Sequence, residues 1–144
     1  MIMRSVTTRS VAALLGVLFG GFGVVQAGLG LALFTLPEAW AFVLPPSLLD
    51  GYVLAVIGAL FLTGARVFPS DEETGVAYTY VAAVFACAYG LLSLLVLLAG
   101  AADLLIAGGE EVPALVESIG PALYLAVLVL PTYLAVGKRF RQEV

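Results

Sequence analysis

The chain has no histidine and a single cysteine, Cys87. That absence removes disulfide frameworks, Cys/His zinc sites, thiolate-ligated iron–sulfur clusters and His-ligated haem. Charge is scarce too: 11% of the 144 residues are Asp, Glu, Lys or Arg, against about 25% in a soluble domain. The few carboxylates do not cluster inside an apolar run, so neither a metal nor another cofactor is expected. A formal net charge of −4 argues against nucleic acid as a partner.

What is abundant is apolar sequence, 62% of the chain, arranged in four long uncharged runs. They cover about 11–36, 48–68, 76–102 and 121–137, each near the roughly 20 helical residues that a bilayer core requires. The expected fold is an all-α bundle of four transmembrane helices in a single domain spanning 1–144. A short piece from Glu38 to Leu44 carries Trp40 and Phe42. Aromatic residues suit the membrane interface, so this piece reads as an extracytoplasmic surface helix between spans one and two.

The cations set the expected topology. Arg4 and Arg9 precede span one, Arg66 ends span two, and Lys138, Arg139 and Arg141 follow span four. With four spans all six lie on one side together with both termini, and the positive-inside rule makes that side cytoplasmic. The expected location is therefore a multi-pass position in the cell membrane, with Arg66, Lys138, Arg139 and Arg141 meeting lipid headgroups. Glu38, Asp50, Asp103, Glu110, Glu111 and Glu117 fall on the opposite side. "SLLD" (47–50) and "SDEE" (70–73) read as helix starts, the second in capping-box form. Five arginines, one lysine and acidic loops hint at a prokaryotic source.

Glycine stands out within the apolar runs. "LLGVLFGGFGVVQAGLG" (14–30) holds six glycines, although each costs about 1 kcal/mol of helix propensity relative to alanine. Gly16, Gly20, Gly23, Ala27 and Gly30 share one helix face, with Gln26 at its edge. Small residues at this spacing let a second helix approach closely, and the amide of Gln26 is expected to bond across that contact. Span two offers two candidate faces: Tyr52, Ala55, Ala59, Thr63 and Arg66 on one side, and Gly51, Gly58 and Ala65 beside it. So much close-packing surface points to a homo-oligomer or to docking within a larger membrane complex.

Between residues 11–37, 51–65, 76–102 and 118–137 there is no Asp, Glu, Lys or Arg. Proton-coupled carriers place a carboxylate at such depths, so the rotary-ATPase proteolipids and the small multidrug antiporters do not fit. Span three carries one candidate polar face, Tyr78, Tyr89 and Asp103 with Ser93 adjacent. The leading expectation is a non-catalytic accessory or structural subunit. The alternatives are a small transporter or channel along the Tyr/Ser/Asp face, and a membrane enzyme acting on lipid or quinone. The stretch "RSVAALLGVLFGGFG" (9–23) resembles the opening of DoxX-like four-helix proteins, a resemblance that implies a four-span fold only.

Overall fold

A computed structural model of the chain describes residues 2–41, 44, 46–108 and 119–143. Four long helices and one short helix account for nearly all of them, and no strand occurs among the described residues. They are α1 (Ile2–Gly30), α2 (Glu38–Ala41), α3 (Leu48–Val67), α4 (Glu72–Ala107) and α5 (Pro121–Glu143). The four long ones are long and apolar enough to cross a membrane. A lipid core offers no water to backbone groups, which is why such runs fold as helices with their hydrogen bonds closed internally. Glu110, Glu111 and Glu117 lie outside the described residues.

The helix ends have identifiable causes. α1 stops at Gly30 instead of continuing to Leu36, because the chain turns left-handed at Ala32 (φ 55°). Leu33 N–H donates to the Gly28 carbonyl and Ala32 N–H to the Leu29 carbonyl, both at 3.0 Å, the pattern of a Schellman cap. Ser47 caps α3, its hydroxyl accepting from Asp50 N–H at 3.3 Å. At α4 the cap is Asp71, one residue later than the "SDEE" reading, and it accepts from Thr74 N–H at 3.1 Å. Ser70 donates instead to the Val67 carbonyl.

The Thr74 hydroxyl, helped by the Thr74 N–H, holds the Asp71 carboxyl below its ordinary value of 3.8. The sign of the resulting pH dependence follows. Stability from this cap is complete above the unfolded value of 3.8 and is lost as pH falls through the lower folded value. Asp71→Asn is therefore expected to flatten the acid limb of a thermal-stability profile below pH 3.8, a small effect because the group is solvent-exposed. An unchanged acid limb would rule the cap out as its source.

Neighbours in sequence are neighbours in space: α1 packs on α3, α3 on α4, and α4 on α5, while α1 and α5 touch only sparsely. Glycines set the α1–α3 contact. A Cβ added at Gly23 would meet the backbone of Ala55 and lie 2.7 Å from the Gly51 carbonyl oxygen. One at Gly51 would meet the backbone of Ala27, and one at Gly30 would lie 2.5 Å from the Leu48 nitrogen. Gly58 faces the backbone of Gly20, with the Gly20 Cα at 2.6 Å. Gly16, Gly23 and Gly30 thus interlock, at seven-residue spacing, with Gly51 and Gly58 of an antiparallel partner. The gain is dispersion and Cα–H···O contact, which drive helix association in lipid.

The same device recurs at lower density elsewhere. Gly64 and Gly75 bring α3 and α4 together beside Thr79, and Gly90 receives Ala126 of α5. Between these seams sits a core of Leu15, Phe19, Leu54, Phe61, Leu125 and Val129. The rings of Phe19 and Phe61 lie 5.7 Å apart. Tyr80 and Tyr133 stack at 5.7 Å beside a smaller cluster of Phe68, Val76 and Val136.

α4 outruns this packing. Its buried residues end at Gly90, yet the helix continues to Ala107 before the left-handed Gly108 (φ 91°) closes it. Residues 91–107 add about 25 Å of helix, almost wholly apolar, in which Leu105 and Ile106 are 87% and 85% exposed.

Candidate functional site

Asp50 lies in the first turn of α3, half-buried and facing α4. The Tyr89 hydroxyl donates to its Oδ1. One turn further along α4, the Ser93 hydroxyl donates to the Tyr89 carbonyl at 3.0 Å. A carboxyl at the edge of a lipid core needs such a donor, because a polar group left unpaired there is costly. The helix register brings two further polar residues to this level. Gly23 lies against Gly51, which places the fully buried Gln26 beside the start of α3. Tyr124 of α5 packs edge-on against Phe22 of α1, with ring centroids 6.1 Å apart. Each long helix therefore contributes one polar residue, Gln26, Asp50, Tyr89 or Tyr124, to a single layer near one end of the bundle.

The opposite end is cationic. Arg9 Nε donates to the Ala65 carbonyl at 3.3 Å, so the start of α1 meets the end of α3 beside the exposed Arg66. Lys138 lies near the end of α5, followed in the same helix by Arg139 and Arg141. Here the seam between α1 and α5 is open. It forms a groove of about 840 Å³ whose floor and walls include Val11, Leu15, Leu18 and Leu128, with Thr7 and Lys138 at its mouth.

The expected polar face of α4 is only partly assembled. Tyr89 and Ser93 join through the helix backbone, and Tyr89 finds its partner on α3. Tyr78, exposed, lies about 16 Å away along the helix axis toward the cationic end. Asp103, exposed, lies about 21 Å away in the other direction on the overhanging segment. Thr63 points outward and donates to its own Ala59 carbonyl at 2.8 Å. Thr63, Ser93 and Asp103 thus form no continuous path. Of the two candidate faces on span two, Gly51, Gly58 and Ala65 are buried, whereas Tyr52 is 69% exposed. On α1, Gly16, Gly23 and Gly30 abut α3, and a Cβ at Gly20 would meet nothing within 4 Å.

The role of Asp50 was hidden in the sequence, where it reads as one residue of a helix start. Its partner lies 39 residues away, and only the glycine register of α1, α3 and α4 brings the two to one level.

Four apolar helices of spanning length, stacked through glycine seams, define a multi-pass integral membrane protein. Within that class, the chain belongs to the MJ0565 integral membrane domain family, which it matches over residues 2–138. No curated protein and no solved structure matches it significantly.

Proposed function

We propose that this chain is a non-catalytic subunit of the cell membrane that docks onto another membrane protein through the overhanging half of α4. The observation that carries the reading is the exposure of Leu105 and Ile106, at 87% and 85%. They stand about 20 Å beyond the level at which α3 begins, so a bundle whose α3 fills the bilayer core carries them past the headgroup layer and into water. Covering a side chain of this size is worth about 1.5–3 kcal/mol. The grouping of Arg9, Arg66 and Lys138 at the far end supports cytoplasmic termini through the positive-inside rule, with the overhang on the outer face.

Self-association through the glycine stripe has less support, because Gly23, Gly30, Gly51 and Gly58 are already engaged within one chain. The transporter reading has less support, because Thr63 and Ser93 bond to their own helices and form no continuous path with Asp103. Native mass determination after mild extraction from the source membrane tests the proposal. A second polypeptide at fixed stoichiometry is expected. A bare chain of 14.9 kDa, or a multiple of that mass alone, would contradict it.

A further inference from the structure

We infer that the groove between α1 and α5 binds one anionic phospholipid of the leaflet that faces the cationic end. The groove runs from Thr7 to Leu18 on α1 and from Lys138 to Leu128 on α5. On either helix that is about 15 Å of rise, half of the about 30 Å apolar core of a bilayer. A site one leaflet deep matches an acyl chain whose headgroup stays at the surface.

The closed half of the seam argues the same way. Beyond Leu18 and Leu128, the contact between Phe22 and Tyr124 brings α1 and α5 together. A transmembrane helix from a second chain would need the whole seam. Flexible chains fit such a slot without displacing its walls.

Charge at the mouth selects the headgroup. Lys138, the only lysine in the chain, borders the groove. Arg4 and Arg141 lie one helical turn further out along α1 and α5. The apolar wall is open to lipid through Leu14, Leu128 and Ala135, all exposed. Pro131, which has no N–H to offer the carbonyl one turn back, is a further wall residue of α5.

The test is native mass spectrometry of the full-length chain in detergent, titrated with either phosphatidylglycerol or phosphatidylcholine. The wild type is expected to hold one phosphatidylglycerol in clear preference to phosphatidylcholine. Lys138→Gln is expected to weaken phosphatidylglycerol binding about fivefold, the effect of one interfacial cation, and Lys138→Arg to preserve it. Ala135→Phe, at an exposed wall position where folding is unaffected, is expected to reduce binding of both lipids. Equal binding of the two lipids by the wild type, or no effect of Lys138→Gln, would overturn the inference. So would a two-chain mass that Ala135→Phe abolishes, which would make the occupant a second copy.

Discussion

Gly58→Leu is expected to separate α1 from α3 and to cost about 3 kcal/mol or more, leaving little folded protein after extraction. Any side chain at this position enters the backbone of Gly20, whose Cα would lie 2.6 Å from the new Cβ, and the Gly16 carbonyl, at 2.9 Å. Backbone cannot rotate aside as a side-chain tip can, so the helices must part along the whole glycine seam. Overpacking by a few methylenes ordinarily costs about 1–3 kcal/mol, and a contact against backbone belongs at or above the top of that range. Gly58→Ala should fall near the middle, after a gain of about 1 kcal/mol in helix propensity.

Gly20→Ala is the informative control. Its Cβ would meet nothing within 4 Å, although Gly20 and Gly58 share one contact. The reason is geometric: Gly20 presents its backbone to α3 and its missing side chain to the side. The variant should range from no change to about 1 kcal/mol of added stability. Unfolding in mixed detergent micelles measures both. Equal destabilisation by Gly20→Ala and Gly58→Ala would show that the two helices meet in another register.

Tyr89→Phe is expected to cost about 1–3 kcal/mol, the range for leaving a buried partner without its hydrogen bond. The ring and its packing against the core remain, so the hydroxyl alone is removed, and with it the donor to Asp50. Asp50→Ala should be similarly costly, since the residue also favours the start of α3 by its position in the first turn. In a double-mutant cycle the two losses should not add. A coupling of about 1.5–3 kcal/mol is expected for a hydrogen bond to a carboxyl group. Additive losses would mean that Asp50 and Tyr89 stabilise the bundle independently.

Much of the architecture was legible because the bilayer imposes length and apolarity together. The four runs predicted the four long helices, and Trp40 marked the region of α2. The end of α1 was obscured because Ala32, not glycine, adopts the left-handed turn, at a cost of about 1–2 kcal/mol. The apolar run itself carries on to Leu36. α4 proved longer than a span because "LLVLLAGAADLLIA" (94–107) offers no strong stop before Gly108. On span two, the sequence presented two small-residue faces and no rule for choosing between them. The structure buries Gly51, Gly58 and Ala65 and leaves Tyr52 outside, while Ala55 of the other face meets Gly23 at the edge of the seam.

The pairing of Asp50 with Tyr89 and the groove at Lys138 lie beyond any local pattern. The first depends on the register of α3 against α4, locked where Gly64 meets Gly75 and Thr79. The second is a gap, and it exists because α1 and α5 lie side by side without a glycine seam to draw them together. Small residues at Gly16, Gly23, Gly51 and Gly58 draw α1 and α3 together. Bulky Leu14, Leu18 and Leu128 line the side left apart.

The most direct measurement is a comparison of two surface variants by native mass after mild extraction from the source membrane. Leu105→Glu together with Ile106→Glu places charge on the exposed overhang of α4, where neither residue supports the fold. Gly21→Leu places bulk on the exposed side of α1, where a Cβ meets nothing within 4 Å. If α4 is the docking surface, the first variant runs as a free 14.9 kDa chain, while the second keeps its partner. If Gly21→Leu releases the partner and the α4 variant retains it, assembly runs through the glycine-rich helix and α4 is not the docking surface.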